Sequence, residues 1–77
     1  MPAILTVDDS RAVRTIVGKQ VKELGFEVLE AEDGIQGLQV LQDAQVDLVL
    51  LDVTMPNMDG PTMLEKMRSG GNTTPVI

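Results

Sequence analysis

Residues 46–60 read Val46-Asp47-Leu48-Val49-Leu50-Leu51-Asp52-Val53-Thr54-Met55-Pro56-Asn57-Met58-Asp59-Gly60, and this stretch decides the fold class. Val46 to Leu51 predicts a strand. Its Leu48-Val49-Leu50-Leu51 run has no polar alternation. A strand apolar on both faces belongs in the middle of a sheet that is covered on both sides. The strand ends abruptly in an acid, Asp52. A loop follows from Val53 to Gly60, with two methionines, a proline and a glycine. Asp59 is placed to cap the next helix, with Pro61 near its first position.

Outward from this centre the chain alternates. Met63, Leu64 and Met67 give the following helix a short apolar side, and Gly70-Gly71 stop it. Pro75-Val76-Ile77 predicts the start of a fourth strand. On the N-terminal side, Ala3 to Val7 is apolar and β-branched and ends in Asp8-Asp9, which reads as a buried strand with an acidic end. Ser10 is a natural N-cap for a helix whose apolar stripe is Val13, Ile16, Val17, Val21 and Leu24. Arg14, Lys19 and Lys22 fall mostly off that stripe and predict a solvated basic face. Gly25 closes the helix as its C′ residue. Gly18 sits mid-helix at a cost of roughly 1 kcal/mol against alanine. Phe26 to Ala31 predicts a second strand and Asp33-Gly34 a turn. Ile35, Leu38, Leu41 and Ala44 mark a second helix. The order β-α-β-α-β-α-β with short connections implies parallel strands and right-handed crossovers in one α/β domain over residues 1–77.

Composition narrows the function. A chain of 77 residues buries only about 60% of the surface its unfolded form exposes. There is no cysteine and no histidine, which removes thiolate ligands, disulfides and the usual neutral-pH base. Phe26 is the one aromatic residue, so base-stacking platforms are lacking. Six basic residues face twelve acidic ones, and no base lies between Glu23 and Glu65. Such a surface repels phosphate backbones, so nucleic acid is not the expected partner. No apolar run approaches a membrane span and no signal peptide is apparent, so a cytoplasmic location is expected.

In open parallel sheets the ligand site lies at the carboxyl ends of the strands. Asp8-Asp9 and Asp52 end two strands at that edge. If those strands are neighbours, three carboxylates converge, and like charges that close favour a cation between them. Oxygen donors without His or Cys select a hard ion such as Mg²⁺. Asp residues also cap helices, and for Asp9 alone that plainer role has an even claim.

The chain resembles the receiver domain of bacterial two-component response regulators, of the single-domain chemotaxis type. The residues that carry the resemblance are Val7-Asp8-Asp9-Ser10 with Arg14, Glu32-Asp33-Gly34, and Leu51 through Gly60. The resemblance implies a flavodoxin-like doubly wound parallel sheet with strand order 2-1-3-4. It implies that Asp52 is the phosphoacceptor. Asp9 would bind Mg²⁺ directly, Asp8 largely through water, and the Thr54 backbone carbonyl would be a further ligand. Met55, Pro56, Asn57 and Gly60 would shape the loop. A sensor histidine kinase is the upstream partner it implies, and the module is not itself an enzyme.

Family members have five βα units, and the residues here stop inside the fourth strand, so a truncated receiver domain is expected. The hydroxyl residue, the lysine and the switch aromatic of the later strands have no counterpart, so impaired phosphotransfer is expected. An open fourth-strand edge and an uncovered sheet face, with Pro75, Val76 and Ile77 and the third strand at its centre, lead to the expectation of a homodimer. The alternative is a receiver remnant that is not phosphorylated and works as a self-associating assembly module. A phosphatase is disfavoured, because Thr54 stands where such enzymes carry a second acid.

Overall fold

A computed structural model of the chain describes residues 2–53 and 55–77. Three parallel strands form the sheet: β1 (Ala3–Val7), β2 (Glu27–Ala31) and β3 (Leu48–Leu51), in the order β2-β1-β3. Three helices connect and follow them: α1 (Arg11–Glu23), α2 (Gly34–Asp43) and α3 (Gly60–Ser69). The expected fourth strand takes the form of one parallel bridge, Val76 to Val49. Val49 N–H donates to Pro75 O and Ile77 N–H donates to Val49 O, both at 2.9 Å. The segment therefore lies beside β3, on the side the 2-1-3-4 order requires.

The caps fall where the sequence places them. Ser10 Oγ accepts from Val13 N–H at 3.3 Å, and Asp59 Oδ1 accepts from Thr62 N–H at 2.8 Å. Gly25 has φ 95°, the left-handed conformation that ends α1. Asp33 is more than a turn residue. It caps α2, its Oδ1 accepting from Gln36 N–H at 2.9 Å. Strand boundaries move inward: Phe26 N–H still bonds to Val21 O, and Asp47 holds Ala3 through two bonds, Ala3 N–H to its Oδ2 at 2.7 Å and its own N–H to Ala3 O at 2.8 Å.

The pleat divides the sheet into two faces. Leu5, Val7, Ala31 and Val49 join Met55, Met63 and Met67 in one buried cluster on the α2/α3 side. Gly37 lets α2 approach this cluster. A Cβ there would lie 2.8 Å from Met63 Cε and 3.2 Å from Val7 Cγ2. Leu38 and Leu41 of the expected stripe pack against the cluster beside the buried Gly34 and Gly37, whereas Ile35 is exposed. The α1 side is thinner. Val17 and Val21 are half-buried, but Ile16 is 61% and Leu24 74% exposed, so α1 covers only part of this face. A Cβ at Gly18 would meet Val28 Cγ1 at 3.5 Å, an ordinary contact, so no steric demand selects glycine there. Among the described residues no helix is long and apolar enough to cross a membrane.

Candidate functional site

Strand register builds the site. β1 and β3 pair with Val7 opposite Leu51, so the next residues, Asp8 and Asp52, leave the sheet side by side. Their backbones are tied at that edge: Asp52 N–H donates to Val7 O at 2.9 Å, and Asp8 N–H to Ala31 O at 3.1 Å. Asp9 follows at once. One carboxylate oxygen from each of Asp8, Asp9 and Asp52 lies within 4.8 Å of the others. Asp8 and Asp52 are half-buried and Asp9 is exposed. The three acids that the sequence nominates are thus brought together. Thr54, the fourth expected ligand through its carbonyl, lies outside the described residues.

Local bonds orient two of the carboxylates. Asp8 Oδ1 accepts from Ser10 N–H and Asp52 Oδ1 from Val53 N–H, each at 2.9 Å. Oδ2 of each accepts no protein hydrogen bond among the described residues. Among those residues the one ion pair is Arg14–Glu30, so none of the three aspartates is ion-paired with a base. Three anionic groups with free oxygens, clustered at one sheet edge, suit a small divalent cation that accepts only hard donors.

The loop after Asp52 is held from two sides. Gly60 N–H donates to Val53 O at 3.0 Å, and a Cβ at Gly60 would collide with the Asp52 carbonyl oxygen. Glycine is required there because α3 begins against the phosphoacceptor candidate's own backbone. Asn57 adopts φ 66°, and its Nδ2 donates to Asp33 Oδ2 at 2.8 Å. Asp33 is buried, and the Gln36 N–H, then Asn57, hold its carboxyl below the ordinary carboxylate value against the opposing effect of burial.

Two of these roles correct the reading from sequence. Arg14 is not part of a solvated face: its side chain is 11% exposed, with Nη1 donating to Asp8 O at 2.6 Å and Nε to Glu30 Oε1 at 3.2 Å. Asp33 is a cap and a loop anchor. The spacing Asp33-x-x-Gln36 carried that signal, since an acceptor three residues before Gln or Glu marks a helix start.

Residues 4–77 match the family of the response regulator receiver domain. This chain belongs to that family. The receiver chain is 43% identical over 74 residues to the sensor histidine kinase RcsC of Escherichia coli K12, covering 96% of this chain and 8% of that protein. The chemotaxis protein CheY4 of Vibrio cholerae superposes with a TM-score of 0.93 at 35% identity, over 99% of this chain and 65% of that one. TrrA of Thermotoga maritima, in complex with Mg²⁺–BeF, gives 0.93 at 30% identity over 99% of this chain and 66% of that one. TrrA in complex with the histidine kinase ThkA gives 0.91. The receiver chain therefore spans a small part of the kinase and about two-thirds of the solved receivers.

Proposed function

We propose that this receiver chain accepts a phosphoryl group on Asp52 in a phosphorelay, with Mg²⁺ held by Asp8, Asp9, Asp52 and the Thr54 carbonyl. The observation that carries this reading is the trio of carboxylates within 4.8 Å of one another with no base paired to them. The binding of Mg²⁺–BeF by TrrA supports the choice of ion and of group, and the ThkA–TrrA complex supports a histidine kinase as the donor.

Asp52 is the nucleophile. The Val53 N–H fixes Oδ1, leaving Oδ2 to attack phosphorus as the bond from phosphorus to the donor breaks. The electron pair of that bond leaves with the donor nitrogen or oxygen. When bound, Mg²⁺ neutralises charge on the phosphoryl oxygens. Asp8 and Asp9 hold their carboxylates toward the same space, Asp8 through its bond to Ser10 N–H. No lysine or arginine among the described residues pairs with Asp52, so this chain alone is a slow acceptor. One absent charge-stabilising donor costs ~3 kcal/mol in other active sites.

Intact mass spectrometry after incubation with acetyl phosphate and Mg²⁺ tests the reading. One phosphoryl adduct should form slowly, fail to form when EDTA is present from the start, and be absent in Asp52→Asn. No adduct on the wild-type chain, or one retained in Asp52→Asn, overturns it.

A second reading is self-association, in keeping with a module that also works by assembly. Its support is the thinly covered α1 side of the sheet. There Val13, Val17, Leu50, Leu51 and Ile77 line an open cleft of about 280 Å³ that ends at Thr6, Asp8 and Asp52, and Ile16 on the same helix is exposed. Exposed apolar side chains gathered on one side of a sheet suit an interaction face. Light scattering should give twice the monomer mass, and Ile16→Lys should restore the monomer. A monomeric wild-type chain at high micromolar concentration ends this reading.

A further inference from the structure

Arg14 lies outside the acidic cluster, yet it grips the backbone between two of its members. Its Nη1 donates to the Asp8 carbonyl oxygen at 2.6 Å, a short charge-assisted bond. That oxygen belongs to the peptide joining Asp8 to Asp9. The other side of Asp8 is held as well, since its N–H donates to Ala31 O. Arg14 is itself aimed by Glu30, the residue before Ala31, through its Nε. Two adjacent residues of the outer strand β2 thus fix both polar groups of the Asp8 backbone, one directly and one through a guanidinium. The plane of the Asp8–Asp9 peptide cannot turn without breaking a bond, and that plane sets where the Asp9 carboxylate points. Asp9 has no such support of its own, because it is exposed and outside the strand.

From this geometry we infer that Arg14 is a positioning residue for the divalent-cation site, with Glu30 as its orienter. The inference rests on the reading of Asp8, Asp9 and Asp52 as that site. Arg14 acts by holding the Asp9 ligand in place and not by its charge. The two roles have opposite signs. A cation beside three carboxylates competes with Mg²⁺ by simple Coulomb repulsion, so removing the charge alone should tighten binding. Removing a positioning contact should weaken it, typically about tenfold or more for groups that orient metal ligands. Lysine keeps the charge but lacks the planar fork that reaches two acceptors from different nitrogens.

The test is calorimetric titration of Mg²⁺ into the chain, with amide NMR of the metal-free protein as a second readout. Arg14→Gln should weaken Mg²⁺ binding about tenfold. Arg14→Lys should weaken it to a smaller extent, although its charge is unchanged. In both, the Asp9 amide resonance should shift before any metal is added. Unchanged or tighter binding in folded Arg14→Gln overturns the inference; if that variant does not fold, unchanged binding in Arg14→Lys does so. Wild-type chain that binds no Mg²⁺ overturns the site reading and this inference together. Wild-type binding with indifferent variants overturns the inference alone.

Discussion

Asp9→Asn should make the metal-free chain more stable while weakening its hold on Mg²⁺. Asp9 is the member of the cluster to change, because Asp8 and Asp52 each accept a backbone N–H and Asp9 accepts no protein bond among the described residues. The substitution keeps the shape and removes one charge while placing an N–H donor where an oxygen stood, so the salt dependence of the gain is what reports repulsion. With oxygens at most 4.8 Å apart, each pair of unit charges repels by roughly 0.9 kcal/mol at the dielectric of water. Asp9 faces two such partners. A Debye length of about 8 Å at physiological ionic strength reduces their sum to roughly 1 kcal/mol. For a domain of this size that raises Tm by about 4–8 °C. Thermal melts in EDTA, at low salt and again at high salt, measure it. The gain should be largest at low salt and shrink as salt is added, and adding Mg²⁺ should reverse the ranking of the two proteins. An equal or lower Tm for Asp9→Asn at low salt would refute the claim that the three carboxylates repel across an open site.

Asp33→Asn should destabilise the chain at neutral pH by about 1–2 kcal/mol, through a weaker α2 cap and a weaker bond to Asn57. The Asp33 carboxyl is held below its ordinary value of 3.8, so its contribution is present above that pH and is lost as pH falls through the lowered value. Urea melts from pH 6 down to pH 2 should therefore show a shallower acid decline in Asp33→Asn than in wild type; parallel curves would count against the anchor. Gly60→Ala should cost at least about 1–3 kcal/mol, since the added methyl must displace the Asp52 backbone and not a flexible side chain. The same variant should lose acceptance of phosphoryl from acetyl phosphate. A Gly60→Ala protein with wild-type stability would mean that α3 can shift away freely.

The parts of this fold that could be read from the chain are those fixed by local chemistry. Leu48 to Leu51 lacks polar alternation, and β3 does lie inside the sheet, between β1 and the bridge at Val76. Ser10 and Asp59 are short acceptors placed just before apolar periodicity, and both cap helices. The acids of the site were legible because parallel strands end at one edge, whichever residues fill them. What escaped depends on contacts between elements. Arg14 sits in a run of bases, and only the approach of β2 turns it from a solvated charge into a brace between Asp8 and Glu30. Ile35 occupies a helical apolar position, but the buried Gly34 and Gly37 bring α2 in with Leu38 and Leu41 toward the core, and Ile35 is left outside. Asn57 gives no hint of Asp33 at a separation of 24 residues. The thin cover over Ile16 could not be judged from α1 alone, since helical spacing specifies a stripe and not the amount of protein laid against it.

The pairing of Val7 with Leu51 sets the native alignment in which the acids stand closest, so the site is a point of frustration in an otherwise consistent landscape. A slip of β3 by one residue would part Asp52 from Asp8 and relieve roughly 1 kcal/mol of repulsion. It would also turn Val49, now fully buried, to the opposite face of the sheet. Losing that one side chain from the core costs about 1.5–3 kcal/mol, before Leu51 and the bridge at Val76 are counted. The apolar ladder thus overrules the charges and enforces a crowded arrangement that the acids would not choose. A site of this kind is assembled only when the neighbouring strands are in register, so its capacity to take a cation doubles as a check that the sheet has folded correctly.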